Sequence, residues 1–275
     1  MSTITSLQNA RVKRVIKLNN RRDRDEARHT PVEGVREVAA ALRNDVVPVE
    51  AYLCPELIDG LEAEKAAGQL VTMGESGLSD VFYVTPEVFA KMAYRGESGG
   101  LLLVIPYLTR TLAQVSFRAE PFLLIIEEAE KPGNLGAILR TADAAGVDAV
   151  IVPTATGATG TDLNNPNVIR ASMGAAFTVP LVSMPAEELI GWLSQAGIGI
   201  IAASPAAETF YTDTDLTGPV ALAVGSEAWG LSETMLAAAD RTVCIPMAGQ
   251  IDSLNLAASA ALLSYEVVRQ RGIAR

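Results

Sequence analysis

At 275 residues, the chain has room for two ordinary domains or one large one. Apolar residues make up 49%, aromatic ones only 5%, and the formal net charge is −10, the profile of an Ala/Val/Leu-rich α/β protein. Two cysteines (Cys54, Cys244) and one histidine (His29) exclude a disulfide framework and a zinc cluster. No apolar run approaches the roughly 20 residues a membrane helix needs. The opening MSTITSLQNARVKRVIK lacks the apolar core of a signal peptide, so the expected setting is cytoplasmic, without membrane or metal.

Charge is unevenly spread. Residues 1–30 carry eight Lys/Arg against three acidic residues, whereas residues 121–275 carry seven against sixteen. A basic arm on an acidic body fits a protein that meets a polyanion with one part only; the bland alternative is a solvated amphipathic helix. Residues 7–18 put Val12, Val15 and Ile16 on one helical stripe, and Arg21–Arg28 reads as too charged for a core. Next come helix Val35–Leu42, strand Val49–Leu53, helix Glu56–Ala67, short strands Leu70–Thr72 and Phe82–Val84, helix Pro86–Met92 and strand Leu101–Ile105. They make a small α/β domain over residues 1–107, with 108–120 as linker.

The second half, 121–275, is more regular. Strands Phe122–Ile126, Ala149–Val152, Phe177–Val179, Ile198–Ala202, Val220–Val224 and Thr242–Ile245 alternate with helices Leu135–Ala145, Asn167–Met173, Ala186–Gln195, Ser232–Ala239 and Leu254–Arg271. Apolar strands between helices argue a parallel sheet covered on both faces. Gly197-Ile198-Gly199 precedes its strand, the wrong order for a dinucleotide turn. With no phosphate-loop or G-x-S-x-G motif either, a nicotinamide oxidoreductase is set aside.

Three strand-end loops carry the chemistry. Glu130 to Arg140 follows strand Phe122–Ile126; Asn134 is a natural helix N-cap, and Gly136 and Arg140, four apart, share a helical face. A helix start with an Arg beside it is a phosphate-shaped environment, although a lone helical Arg more often pairs with a surface carboxylate. Gly225-Ser226-Glu227-Ala228-Trp229-Gly230 follows strand Val220–Val224: its glycines admit close backbone approach, and Glu227 is an acceptor for a hydroxyl or amine, or a partner for Arg140. The third, Val243 to Ala258, leaves its strand at Pro246 and enters a helix through Asp252 or Ser253 as N-cap. Its Ile245, Met247 and Leu254 beside backbone amides suit a flat base read by main-chain bonds, with Ser253 and Asn255 as small polar groups.

N-x-G-x-x-x-R (Asn134, Gly136, Arg140), G-S-E-x-x-G (Gly225 to Gly230) and I-P-M…S-L-N (Ile245 to Asn255), in that order and spacing, resemble the three motifs of the SpoU/TrmH family of RNA ribose 2'-O-methyltransferases. The likeness covers about Phe122 to Arg271, and Val168 to Ala175 resembles a segment between the first two motifs. The first half is similar to the ribosomal-protein-like RNA-binding domain of rRNA-modifying members. The resemblance implies a SPOUT fold, a parallel sheet closed by a deep trefoil knot, together with S-adenosylmethionine as cofactor and a homodimer with its sites at the interface. By position it implies cofactor binding by Gly225, Ile245, Met247 and Leu254. The catalytic set would be Asn134, Arg140, Glu227, Ser253 and Asn255, and Arg170 would contact RNA or cofactor. Arg140 would orient the ribose hydroxyl and stabilise charge, or accept the proton itself. rRNA is the expected substrate and tRNA the second. The rival is a non-catalytic RNA-binding or ribosome-assembly protein on the same scaffold, which would have no use for the full polar set. The acidity of residues 121–275 assigns RNA capture to the N-terminal part.

Overall fold

The computed structural model describes residues 3–94, 98–129, 131–154, 161–226 and 229–272. In chain order the strands and helices are β1 (Thr3–Ile4), α1 (Ala10–Lys17), α2 (Arg21–Ala27), β2 (His29–Glu33), α3 (Val35–Arg43), β3 (Glu50–Leu53), α4 (Leu61–Glu75), β4 (Asp80–Val84), α5 (Pro86–Met92) and β5 (Leu101–Pro106). They continue as β6 (Thr109–Arg110), β7 (Phe122–Ile126), α6 (Pro132–Ala145), β8 (Ala149–Thr154), α7 (Pro166–Ala171), α8 (Ala175–Thr178) and β9 (Leu181–Pro185). The last six are α9 (Ala186–Ala196), β10 (Gly199–Ala203), β11 (Val220–Val224), α10 (Glu233–Ala238), β12 (Arg241–Val243) and α11 (Leu256–Gln270). Two compact units result: residues 1–108 with 164–177, and residues 109–163 with 178–275.

The first unit is a five-stranded sheet ordered β1-β4-β3-β5-β2, with β5 antiparallel to both its neighbours. β1 and β2 escape a sequence reading because one is two residues long and the other contains Pro31; β2 lies at the sheet edge, where a missing N–H is tolerated. The expected strand Leu70–Thr72 is instead the interior of α4, because Ala63, Ala66 and Leu70 recur at helical spacing on its buried side. Burial and a bond to Glu56 push the Cys54 thiol up to about 11, which leaves it a packing group.

The basic N-terminus is built into this unit. Val12, Val15 and Leu18 lie in its core with Val88, Phe89 and Met92. Arg11 and Arg14 both pair with Glu50, a buried carboxylate that also accepts from the Tyr52 hydroxyl at 2.8 Å. Arg11 stacks on Phe82 at 4.4 Å. Arg24, expected outside the core with its charged neighbours, is 1% exposed and donates to the carbonyls of Leu18 and Asn19, closing the end of α1. A buried guanidinium is tolerated because carbonyl oxygens accept hydrogen bonds from its N–H groups. Lys13, Lys17 and Arg22 remain exposed and have no ion pair among the described residues.

Residues 164–177 also belong to this unit. The Thr30 hydroxyl donates to the Asn164 carbonyl at 2.7 Å, the Asn164 side chain accepts from the Leu108 N–H at 2.8 Å, and α7 packs against β2. The expected strand Phe177–Val179 falls mostly in α8; the strand proper begins at Leu181, after Pro180.

The second unit is a seven-stranded sheet, β12-β10-β11-β7-β8-β9-β6, with every pairing parallel. Part of the expected linker is therefore sheet: β6 pairs with β9, and Thr111 and Gln114 close a capping box over the turn that follows. Helices cover both faces, so FLLII in β7 and VALAV in β11 are buried throughout. α9 and α10 pack on the side of Leu123, Ile125, Ile200, Ala221 and Ala223, while α6 and α11 pack together. Arg271, at the end of α11, donates to the carbonyls of Glu120 and Gly218 at 2.9 and 2.6 Å. After β7 the chain runs outward through β8 and β9, then crosses back to form β10 and β11. Parallel strands that reverse order in this way leave a crevice at their carboxyl ends, here between β7 and β11. Among the described residues no helix is long and apolar enough to cross a membrane, and no His, Cys, Asp or Glu cluster could hold a metal.

Candidate active site

At the carboxyl ends of β10, β11 and β12 lies a cavity of about 430 Å³. Gly225 enters it directly from β11, Ile245 and Met247 from the segment after β12, and Ser253 and Leu254 from just before α11. The four residues assigned to the cofactor thus line one cavity, and Ser253 joins them.

Gly225 is required by the local packing. A methyl group on its Cα would land on the carbonyl of Gly230 and the amide nitrogen of Leu231. The backbone comes this close because Ser226 closes a turn: its carbonyl accepts from the Gly230 N–H at 2.9 Å and its hydroxyl from the Trp229 N–H at 3.1 Å. Gly230 turns the corner with φ +68°, a conformation that favours glycine. Trp229 is left 81% exposed at the cavity rim. Glu227 lies outside the described residues.

Two caps differ from expectation. α6 begins at Pro132 with Lys131 in the N-cap position, since Pro suits the first helical position; Asn134 is therefore inside the first turn. α11 is capped by Asn255, not Asp252 or Ser253, through its side-chain oxygen and the Ala257 N–H at 3.0 Å. The Asn255 amide then donates to the Asn134 side-chain oxygen at 3.2 Å, joining the first and third motifs. Neither Asn is among the residues lining the cavity.

Arg140 lies on α6 away from that lining. It is exposed and has no hydrogen bond or ion pair among the described residues, while Gly136, one turn earlier, is buried. The helix thus turns Gly136 inward and Arg140 outward. Arg170 belongs to the first unit, where it borders a small recess with Glu33, Glu37 and Tyr94.

Sequence reasoning passed over Glu127, the acidic residue that ends the apolar β7 run. It is 8% exposed, and its carboxylate accepts from the Ser232 N–H at 2.7 Å and hydroxyl at 2.9 Å. A charged residue directly after five buried apolar ones was the available signal.

The cavity suits a nucleoside-sized ligand. Its volume is in the range of small-molecule sites, with walls of Leu231, Val243, Ile245, Met247, Leu254 and Leu256. Gly225 and Gly230 let backbone amides and carbonyls approach closely, as recognition of a purine edge requires.

Comparison with known proteins places the chain in a family. The model of the SpoU rRNA Methylase family matches residues 121–265, and that of the MRM3-like substrate binding domain residues 9–102. A 23S rRNA (guanosine-2'-O-)-methyltransferase, RlmB, of Pectobacterium atrosepticum is 39% identical over 153 residues, 55% of this chain and 61% of that relative. The 23S rRNA (uridine(2479)-2'-O)-methyltransferase of Streptomyces viridochromogenes is 31% identical over 92% of this chain and 87% of its own length. The solved structure of the SpoU methyltransferase AviRb from the same organism, in complex with the cofactor AdoMet, covers 98% of this chain and 100% of that one, with 27% identity and a TM-score of 0.85. An AdoMet-bound rRNA methyltransferase from Sinorhizobium meliloti is 29% identical over 97% of each chain, with a TM-score of 0.84. On the strength of the family model across its second half and a relative matched along nearly its whole length, the chain belongs to the SpoU rRNA methylase family.

Proposed function

We propose that the protein methylates a ribose 2'-hydroxyl of RNA, rRNA before tRNA, using S-adenosylmethionine. The observation that carries this reading is the convergence of Gly225, Ile245, Met247, Ser253 and Leu254 on one cavity at the carboxyl ends of β10, β11 and β12. The names of the rRNA-modifying relatives support it. When bound, the cofactor supplies an activated methyl group on a sulfonium.

This chain's residues would then supply position and charge. Gly225, Ile245, Met247 and Leu254 hold the adenosyl portion through backbone groups and apolar contacts. Asn134 and Asn255, already bonded to each other, fix the start of α6 against the start of α11. Arg140 places the 2'-hydroxyl and adjacent phosphate in line and stabilises the developing alkoxide; Ser253 and Glu227 complete the polar set. Exposed Leu262 and Tyr265 on α11 form an apolar face fit for a second copy of the chain, which would bring Arg140 to a partner's cavity. The reading includes a knotted C-terminus, in keeping with the way α11 is held between α6 and residues 214–218.

Labelled S-adenosylmethionine incubated with the protein and rRNA should yield labelled 2'-O-methylnucleosides after digestion. Cofactor binding with no transfer to any RNA would instead favour the non-catalytic scaffold.

RNA capture falls to the first unit, through Lys13, Lys17 and Arg22. Removing residues 1–30 would destroy β1, α1 and α2, so point changes are the proper test. The triple variant Lys13→Glu/Lys17→Glu/Arg22→Glu is expected to bind RNA about tenfold or more weakly in ~0.1 M salt, with a salt dependence shallower by about two ions. Unchanged RNA affinity by filter binding would rule out this face.

A further inference from the structure

Glu127 grips both ends of the cavity loop that runs from Gly225 to Leu231. Its backbone N–H donates to the carbonyl of Val224, the residue before the loop, at 3.0 Å. Its two carboxylate oxygens take the N–H and hydroxyl of Ser232, the residue after it, at 2.7 and 2.9 Å. The Ser232 hydroxyl in turn accepts from the Met235 N–H at 3.2 Å and caps α10. Glu127 itself is not among the residues lining the cavity.

We propose that Glu127 is a positioning residue for cofactor binding, holding the wall formed by Gly225, Ser226, Trp229, Gly230 and Leu231 in its binding shape from behind. The inference rests on the cavity being the S-adenosylmethionine site. Helix capping does not explain the carboxylate, because the Ser232 side chain caps α10 without it. Sheet packing does not explain it either: burying a carboxylate costs desolvation that an apolar residue at this position would avoid. What Glu127 adds is a fixed separation between the two ends of a loop in which Trp229 and Gly230 are exposed and Ser226, among the described residues, bonds only within the loop itself. Five residues of that loop (Gly225, Ser226, Trp229, Gly230 and Leu231) line the cavity, so a shift at Ser232 is passed directly to its wall.

The test compares wild type with Glu127→Gln, Ser232→Ala and the double variant. It uses isothermal titration with S-adenosylmethionine, steady-state kinetics and thermal melting without cofactor. Glu127→Gln keeps the size but turns an amide NH2 toward a donor. Its Kd and KM for the cofactor are expected to rise about tenfold, with kcat at saturation falling less than about threefold. Ser232→Ala leaves the backbone bond and should raise Kd less. The double variant should raise Kd by less than the product of the two single effects, because both touch one contact, while the lost α10 cap shows in the melting temperature. A lowered melting temperature with unchanged cofactor Kd in the folded protein would reduce Glu127 to a structural role and overturn the proposal. Wild type that binds no S-adenosylmethionine would overturn the reading of the cavity beneath it.

Discussion

Gly225→Ala is expected to abolish measurable cofactor binding, a loss of about a hundredfold or more, and to destabilise the second unit by about 1–3 kcal/mol. The added methyl meets main-chain atoms of Gly230 and Leu231 and no flexible side-chain end. Relief requires the turn fastened by Ser226 to move, and that turn is the cavity wall. Glycine at 225 is therefore demanded by close approach of two backbone segments and not by an unusual φ, since Gly225 is absent from the positive-φ positions. Gly249→Ala makes the control: an added Cβ there meets nothing within 4 Å. Titration with S-adenosylmethionine, backed by circular dichroism to establish folding, reads the outcome; near-native affinity of Gly225→Ala would show that the loop is not the cofactor's wall.

Arg140→Ala should lower kcat by about two to three orders of magnitude, the usual loss when one preorganised donor to a developing oxyanion is removed. Cofactor affinity should barely change, because Arg140 does not line the cavity. Arg140→Lys should recover little: an ammonium lacks the planar fork that addresses a hydroxyl and a phosphate oxygen together. The outward position of Arg140 adds a sharper expectation. If each site joins a cavity from one copy to Arg140 of another, co-purified Arg140→Ala and Gly225→Ala chains, each inactive alone, should regain about a quarter of wild-type activity, since random pairing gives half heterodimers with one intact site each. No recovery in folded mixed dimers would place Arg140 at its own chain's cavity.

Much of the second unit could be read from its strands, because parallel strands buried on both faces are written as uninterrupted apolar runs. Phe122–Ile126 and Val220–Val224 are seen with the limits expected of them. The loops of the site were legible for the related reason that Gly225 and Pro246 break such runs abruptly. What stayed hidden depends on partners remote in sequence. Nothing local announces that Glu127 will bond Ser232, or that Asn255 will reach Asn134. The basic N-terminus misled in the same way: a count of charges cannot reveal that Arg24 will be buried or that Arg11 and Arg14 will meet Glu50. The shifted helix starts are a smaller matter: Pro132 takes the first position of α6 with no side-chain cap before it, and Asn255 wins the cap of α11.

The return of residues 164–177 to the first unit means that the two family-model ranges do not correspond to two separable pieces of gene. A fragment cut at residue 109 would carry Val168, Ile169 and Phe177, all buried in the intact chain, as stranded greasy cargo. The complementary fragment would lack the Asn164 carbonyl that receives the Thr30 hydroxyl. Exchanging the first unit between members of this family by simple fusion should therefore yield insoluble products unless residues 164–177 travel with it.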